Sequence, residues 1–277
     1  MINAKLVKEL RDLTGAGMMD CKKALVETDG DIEEAAKWLR EKGISKAEKR
    51  AGRVAAEGIC SYKINGNKAI VFEVNSETDF VAKNDSFVAI VDKIGEALIA
   101  GNATNTEEAL EVEYQGEKVE DIIVNATATI GEKITLRRVN AFTKTDDQVF
   151  GVYSHMDGKI VSLTILEGDN AELAKDVAMH VAAMNPKYLR KEDVDPADLE
   201  SEKEILTQEA LNEGKPAKIV EQMVKGRLNK YLQEICLENQ DFVKDTDQTV
   251  GKYVKANNSK IIDYIRLEVG EGLKKRL

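Results

Sequence analysis

Histidine and cysteine are scarce in this chain, and their scarcity excludes several kinds of chemistry. Only two histidines, His155 and His180, occur among 277 residues, so an acid–base or metal site built on imidazole is hard to assemble. The three cysteines, Cys21, Cys60 and Cys236, lie far apart and show no metal-ligand spacing. Such isolated thiols are typical of a reduced cytoplasm. We therefore predict a cytoplasmic protein that holds no metal.

Several sequence signatures of enzymes and membrane proteins are also missing. The chain has no phosphate loop, no glycine-rich dinucleotide fingerprint and no nucleophile elbow. No apolar run approaches the length of a membrane span, and the opening residues do not have the pattern of a signal peptide. Paired carboxylates are abundant, but an enzyme built on them would need a polar cleft with two buried acids. The sequence predicts a protein that is not an enzyme, has no cofactor and does not contact a membrane.

The charge balance argues against direct binding to nucleic acid. Acidic residues number 50 against 40 basic ones, which gives a net charge of −10, whereas a nucleic-acid binder normally carries the opposite balance or a concentrated basic face. One short basic cluster, residues 46–53, is interpreted as a solvated helical linker. With 43% apolar and 32% charged residues, the chain is expected to be globular, with two or more domains.

The N-terminal region has the pattern of three short helices. Apolar residues recur at helical spacing through residues 4–43, with two glycine-containing breaks. Asp31 followed by Glu34 has the spacing of a capping box at the start of the third helix, and Gly43 is expected to end that helix. Residues 1–43 resemble a ubiquitin-associated domain, and residues 44–57 are the predicted linker.

From residue 58 onward the chain repeats itself. Each half begins with a similar strand and turn, continues with a second strand and a helix, and ends with a helix and a strand. The matched segments are Gly58–Tyr62 with Gly151–His155, the expected helix starts Ala82–Asp85 with Ala174–Asp176, and the strands Ile134–Val139 with Ile265–Val269. The pattern predicts a duplicated α+β core of small antiparallel sheets with helices, whose halves are residues 58–140 and 141–277.

The second half contains an insertion at residues 196–236. Two apolar stripes at helical spacing flank a break at Asn212–Pro216, so we predict an antiparallel hairpin that forms a two-stranded coiled coil. The alternative is a pair of helices lying flat on the sheet. The apolar residues are Leu199, Ile205, Leu206 and Ala210 on one arm, and Ile219, Val220, Met223, Val224, Leu228, Tyr231, Leu232 and Ile235 on the other.

A strand-to-helix corner in the first half is the strongest candidate site. The apolar run Ala69–Val74 predicts a strand, and either Thr78 or Asp79 can cap the helix that follows. Phe80 then lies on the first helical turn, either folded back onto its own helix as a hydrophobic staple or protruding as a wedge. The equivalent corner of the second half, residues 169–173, has no aromatic residue. A structural staple should be needed twice, which favours the wedge.

Two long segments of the chain are similar to signatures of the bacterial elongation factor Ts family. The segments are Leu10–Leu25, which includes Gly15-Ala16-Gly17-Met18-Met19, and Glu73–Ala82, which includes Thr78-Asp79-Phe80-Val81. The resemblance extends from the first residue to about residue 272. Members of that family exchange guanine nucleotide on elongation factor Tu, so the resemblance implies that elongation factor Tu–GDP is the partner.

The resemblance also assigns roles to individual residues. It implies that Thr78, Asp79, Phe80 and Val81 disturb the magnesium site of the partner, with Asp79 and Phe80 entering its nucleotide domain between two helices. It implies further partner contacts for Met18, Met19 and His180. The apolar helical stretch around His180, residues 177–184, is itself typical of either a packed or a contact histidine rather than a metal ligand. The second half of the core is expected to reach a more distant domain of elongation factor Tu.

The C-terminal segment departs from the family pattern. Family members usually continue past the element at Glu268–Gly272 into a final helix that also contacts the partner, whereas this sequence stops at Leu273–Leu277. We therefore expect that contact to be missing or to be made elsewhere. A second functional hypothesis is a non-enzymatic adaptor that binds helical or ubiquitin-like partners through residues 1–43. The two hypotheses differ in whether residues 1–55 alone account for partner binding.

Overall fold

The computed structural model describes residues 4–273, which form a mixed α and β structure. The predicted C-terminal departure at Leu273–Leu277 lies, apart from Leu273, outside the described residues. The helices are α1 (Ala4–Thr14), α2 (Met18–Glu27), α3 (Ile32–Arg50), α4 (Asp79–Ala82), α5 (Asp85–Gly101), α6 (Thr106–Glu111), α7 (Val119–Ile130), α8 (Ala171–Met184), α9 (Pro196–Asn212), α10 (Ala217–Ile235) and α11 (Val250–Ala256). The strands are β1 (Glu57–Asn65), β2 (Lys68–Ser76), β3 (Glu113–Tyr114), β4 (Glu117–Lys118), β5 (Thr135–Thr143), β6 (Gln148–His155), β7 (Ile160–Glu167), β8 (Asp241–Phe242), β9 (Asp245–Thr249) and β10 (Ile261–Glu268).

The chain divides into two compact units. The first contains the described residues up to Thr143, together with Met156–Ile160 and the described residues from Leu267 onward. The second contains Lys144–His155 and Val161–Arg266. Among the described residues, no helix has the length and hydropathy required to cross a membrane.

Helices α1, α2 and α3 form a small core of their own within the first unit. Their buried side chains include Leu10, Cys21 and Leu25, none of which is exposed to solvent. The Asp31 carboxylate accepts a hydrogen bond from the Glu34 backbone N–H at 3.0 Å, so α3 begins with the side-chain cap that the sequence predicts. The three predicted N-terminal helices are therefore confirmed.

The prediction that Gly43 ends the third helix is wrong, because α3 continues to Arg50. Gly43 is buried where α3 packs against α7, and a Cβ atom there would lie 3.4 Å from the Cβ atom of Ala128. A salt bridge between Arg40 and Asp121, 2.7 Å long, lies at the same contact. The glycine thus permits close approach of two helices, which offsets its low helix propensity.

The first unit is built on an antiparallel sheet of order β1-β2-β5. Its register pairs Ile59 with Val74 and Phe72 with Val139, and a bulge follows Glu73 in β2. Helices α5 and α7 share a core with this sheet, in which Phe72 and Phe87 are fully buried. The central strand β2 is buried along all but its first residue, so it is a firm base for the segment that follows it.

The second unit repeats the same order of elements around the sheet β6-β7-β10. In the second unit, the helices α8, α9 and α10, the two-stranded hairpin β8–β9 and the helix α11 separate β7 from β10. In the first unit, the helices α4, α5 and α6, the hairpin β3–β4 and the helix α7 separate β2 from β5. The expected helix start at Ala174–Asp176 is wrong. Helix α8 begins at Ala171, because the Asn170 side chain caps it by accepting a hydrogen bond from the Leu173 N–H at 3.0 Å.

The insertion forms two helices that pack on each other, α9 and α10. Ala210, Val220 and Val224 are buried between them, whereas Ile205 and Ile219 remain about half exposed, at 50% and 49%. These two residues therefore lie outside the contact, and the buried stripe is narrower than the sequence predicts. The hairpin base is held by Tyr188, whose hydroxyl donates to Asp198 at 2.6 Å and whose N–H donates to the Ile235 carbonyl at 3.1 Å.

Candidate docking site at the Asp79–Phe80 corner

The segment Glu77–Ala82, called here the corner, turns the chain from β2 into the single helical turn α4. Thr78 has extended backbone angles, and its hydroxyl oxygen accepts a hydrogen bond from the Val81 N–H at 3.3 Å. Of the two capping residues that the sequence allows, Thr78 is therefore the cap, and Asp79 is the first helical residue. A second cap at Asn84 starts α5 immediately afterwards.

Phe80 protrudes from the corner, with 83% of its surface exposed. The staple interpretation is therefore wrong in this structure, since a staple would bury the ring against its own helix. The next two residues do the opposite: Val81 packs against the core of the first unit, and Ala82 is buried in it. Val81 and Ala82 thus anchor the turn to the core, while Phe80 points into solvent.

Asp79 is placed beside Phe80 and is ionised at neutral pH. Its carboxylate accepts a hydrogen bond from the Lys83 ammonium at 2.8 Å, and this contact lowers the pKa of Asp79 below its ordinary value. Because the Lys83 side chain is 72% exposed and the Asp79 side chain 45% exposed, the pair is open to solvent and adds little to stability.

A carboxylate that the sequence analysis did not identify lies under the corner. Glu132 follows the end of α7, and one of its oxygens accepts hydrogen bonds from the N–H groups of Glu77 and Thr78, each at 3.0 Å. Its other oxygen accepts the Thr78 hydroxyl at 2.7 Å. Glu132 is more than fifty residues from the corner in sequence, and no local pattern links the two.

Glu77 makes the reciprocal connection. Its carboxylate accepts the Lys133 backbone N–H at 2.7 Å, and the Arg53 guanidinium donates to the same group at 3.2 Å. The corner and the turn between α7 and β5 are therefore joined in both directions. Glu132 of the turn accepts from the corner backbone, and Glu77 of the corner accepts from the turn backbone. This arrangement fixes the backbone immediately before Asp79 and Phe80.

A second buried carboxylate, Glu73, holds the strand that leads to the corner. Its side chain is fully buried and accepts hydrogen bonds from Asn75, Arg137, Arg138 and the Gly270 N–H, of which the Arg138 contact is the shortest at 2.6 Å. Burial alone would raise the pKa of Glu73, but the bonds from Gly270, Asn75 and Arg138 outweigh it and lower the pKa. Glu73 is therefore an ionised group that ties β2 to β5 and to residue 270.

Met18 and Met19 lie on the first turn of α2 and are both exposed, at 60% and 76%. The glycine before them is the N-cap residue of the helix, so the pair stands at the point where the chain enters it. Leu13 and Val26 are exposed on the same three-helix segment. Several exposed apolar side chains on one small segment are typical of a contact surface.

His180 does not join the exposed candidates, because it is fully buried in the second unit. Gln240 accepts a hydrogen bond from its Nε2–H at 2.8 Å, and Nδ1 accepts the Val243 N–H at 3.2 Å. The Gln240 orientation is fixed by its own amide, which donates to the Glu234 carbonyl. A direct contact between His180 and a partner is incompatible with this burial, so that prediction is corrected: the residue is a packed histidine.

The cleft in the first unit does not hold the two buried acids that the enzyme hypothesis requires. The cleft, of about 980 Å³, contains Asp20 and Asp121, but each pairs with a basic residue, Lys46 or Arg40, and each is more than 30% exposed, at 45% and 34%. Within residues 4–273, no group of three histidine, cysteine or acidic side chains is arranged to hold a metal ion.

The fold and the site together define a class: a mixed helix and strand protein that presents an exposed aromatic residue on a buttressed corner. The family model described as elongation factor TS matches residues 77–271, a range that begins at the corner itself. The match covers well over half of the chain, and the chain belongs to the elongation factor Ts family. Membership implies a role in translation elongation, with elongation factor Tu as the partner.

Proposed function

We propose that this protein is a guanine nucleotide exchange factor that binds elongation factor Tu–GDP in the cytoplasm and promotes GDP release through the corner. The observation that carries this proposal is the exposure of Phe80 on an anchored turn. Thr78 supplies the cap, Val81 supplies the anchor, and Asp79 presents a negative charge beside the ring.

The proposed mechanism is a distortion of the partner's magnesium site. Magnesium requires a nearly ideal octahedron of oxygen ligands, so displacement of the helices that support it should weaken nucleotide binding. The factor needs only to bind the distorted state better than the closed one. Because coupling between two binding sites is reciprocal, incoming nucleotide also weakens binding of the factor and releases it.

Burial of Phe80 in the partner would stabilise the distorted state by roughly 1.5–3 kcal/mol, the value for a large apolar side chain. This is a useful share of the required difference in affinity, but other surfaces must supply the rest. The exposed Met18 and Met19 are the first candidates. The second half of the core is proposed to reach another domain of elongation factor Tu.

The finer organisation of the chain is part of the proposal. We infer a ubiquitin-associated-like unit at residues 1–43, a basic linker at residues 44–57, which is helical as far as Arg50, and core halves at residues 58–140 and 141–277. The hairpin at residues 196–236 is proposed to be a coiled coil, since its two helices bury a narrow apolar stripe between them. No direct contact with nucleic acid or membrane is part of the function.

The test is stimulated release of a fluorescent GDP analogue from elongation factor Tu. We expect Phe80→Ala to keep the fold, because the ring makes little contact in the free protein, and to slow stimulated release about ten- to a hundredfold. Ile64→Ala is the matched control, since it also removes an exposed apolar side chain, from β1. Unchanged release with Phe80→Ala would refute the proposed role of the corner.

The exposed methionines favour one alternative, an adaptor that binds its partner through the N-terminal helices alone. Under this alternative, replacing Met18 and Met19 by alanine abolishes binding, and Phe80→Ala changes neither binding nor release. Titration of both variants against elongation factor Tu–GDP separates the two functions.

A further inference from the structure

We propose that Glu132 is a positioning residue for nucleotide exchange: it acts through the corner by holding the backbone from which Phe80 protrudes. The inference deepens the proposed function and rests on it. Glu132 and Glu77, with the backbone groups that they bind, are called here the carboxylate clamp.

The first argument is the number of bonds that converge on Glu132. Its carboxylate accepts two backbone N–H groups and one hydroxyl, at 3.0, 3.0 and 2.7 Å. Hydrogen bonds to an ionised acceptor are about twice as strong as neutral ones. The two bonds from N–H groups fix the peptide planes on both sides of Glu77, and the third bond fixes the side chain of Thr78, the residue immediately before α4.

The second argument is that Glu132 also orients the helix cap. The Thr78 hydroxyl donates its proton to Glu132, so its oxygen is free to accept the Val81 N–H at 3.3 Å. The carboxylate therefore acts on Val81 through Thr78. Since Phe80 lies between these two capping partners, its backbone is held on both sides.

The third argument is that α4 cannot be rigid by itself. It has four residues, far fewer than an isolated helix needs in water. Without the carboxylate clamp, the turn would keep the burial of Val81 and Ala82, its own backbone hydrogen bonds and the bond from the Ser76 hydroxyl to the Thr78 carbonyl at 3.0 Å. The N–H groups of Glu77 and Thr78 and the Thr78 hydroxyl would lose their acceptor. Phe80 has few contacts of its own, because 83% of its surface is exposed, so its direction is set by the backbone.

The chemistry of the bonds predicts different results for two substitutions. Glu132→Gln can still accept both N–H groups with its amide oxygen and can donate its NH₂ to the Thr78 oxygen. Glu132→Ala removes all three contacts and leaves two backbone N–H groups without their acceptor. A positioning role therefore predicts loss with alanine and rescue with glutamine.

The experiment measures stimulated GDP release from elongation factor Tu over a range of concentrations of the full chain. For Glu132→Ala we expect a maximal rate about tenfold lower, the factor that corresponds to one bond to a charged acceptor. For Glu132→Gln we expect a rate within about threefold of the wild type. Glu107→Ala, which removes an exposed glutamate on α6, is the matched control and should match the wild type.

Two readouts separate positioning from a general loss of stability. In the Phe80→Ala background, Glu132→Ala should reduce the rate less than about twofold further, because coupled residues are not additive. Amide hydrogen exchange at Glu77 and Thr78 should be faster in Glu132→Ala, while exchange in the core of β2 stays as in the wild type.

A wild-type rate for Glu132→Ala, together with a slow Phe80→Ala, would overturn this inference and leave the proposed function standing. Fully additive effects of the two substitutions, or failure of Glu132→Gln to rescue, would also overturn it. A wild-type rate for Phe80→Ala would remove both proposals. If Glu132→Ala does not fold, Glu132→Asp takes its place in the experiment, because aspartate is one methylene shorter and draws the carboxylate away from the corner. Slower stimulated GDP release with Glu132→Asp would support the positioning role. A wild-type rate of release would refute it.

Discussion

Replacement of Glu73 by glutamine is the sharpest test of how the first unit is held together. The Glu73 carboxylate is fully buried, and every group around it donates a hydrogen bond: two guanidinium groups, one amide side chain and one backbone N–H. A glutamine side chain has nearly the same shape, but one of its two terminal groups is a donor. In either orientation that NH₂ group faces other donors, so at least two hydrogen bonds are lost.

The expected loss of stability in Glu73→Gln follows from how deeply Glu73 and its two arginine partners are buried. Removal of one partner of a buried ion pair costs about 3–5 kcal/mol, because an uncompensated charge remains. The side chains of Arg137 and Arg138 are 26% and 24% exposed, so water can partly solvate them when Glu73 loses its charge. We therefore expect a loss near the lower end, about 3 kcal/mol, which corresponds to a fall in melting temperature of roughly 6–12 °C.

The assay is urea unfolding at two pH values, with Glu204→Gln as control because Glu204 is exposed on α9. The pKa of Glu73 is lowered from its ordinary 4.5 in the folded chain. The unfolded chain therefore takes up a proton first as the pH falls, and the stabilising contribution is present above pH 4.5 and lost below it. The difference between wild type and Glu73→Gln should be large at neutral pH and should shrink in acid. A difference under about 0.5 kcal/mol at neutral pH, the range of ordinary surface substitutions, would refute this reasoning.

Two further predictions concern the second unit. Burial lowers the pKa of His180, and the hydrogen bond to Gln240 opposes this shift only in part. As the pH drops through about 6.5, the unfolded chain therefore binds a proton that the folded chain does not. The free energy of unfolding should fall over the same pH range. His180→Gln should unfold with less pH dependence between about pH 7.5 and about pH 5.5 in urea titrations, and an unchanged slope would contradict the neutral, Val243-bound imidazole. Gly151→Ala should destabilise by about 1–3 kcal/mol, since its Cβ would lie 2.1 Å from the Ala174 carbonyl. Its control, Gly226→Ala, meets nothing within 4 Å in α10 and should be slightly stabilising in thermal melts, by about 0.5–1 kcal/mol; equal effects of the two glycine substitutions would refute the steric argument.

The regular elements were largely predictable because their signals are local. Helical periodicity identified the N-terminal helices and the two arms of the hairpin, and the Asp31 cap was evident from its own neighbours. The start of α8 was misplaced although its Asn170 cap is local, whereas the end of α3 was misplaced because a distant contact decides it. Gly43 has the sequence properties of a helix end, but its environment is the surface of α7, and nothing near it in sequence reveals that.

The candidate site divides in the same way. Thr78, Asp79 and Phe80 stand out in the sequence because a strand, a cap and an aromatic residue follow one another. The exposure of the ring was inferred only indirectly, from the absence of an aromatic residue in the second half. Glu132 could not be found, since its role depends on α7 ending beside the corner, and a glutamate after a glycine is common in sequences. Partner groups that converge through tertiary structure leave no periodic or spaced pattern.

The continuity of α3 has a consequence for how the N-terminal helices could be used. A flexible segment after residue 43 would make them a tethered module, whose contribution to binding depends on the effective concentration that the tether allows. Instead, one uninterrupted helix runs from Ile32 to Arg50 and lies against α7, the helix that ends beside the corner. Met18, Met19 and Phe80 therefore belong to one preorganised body. When a partner binds all three residues, this protein would lose little additional conformational entropy after the first contact. Substitutions at Met18 or Met19 and at Phe80 should therefore each increase the rate at which the same complex dissociates.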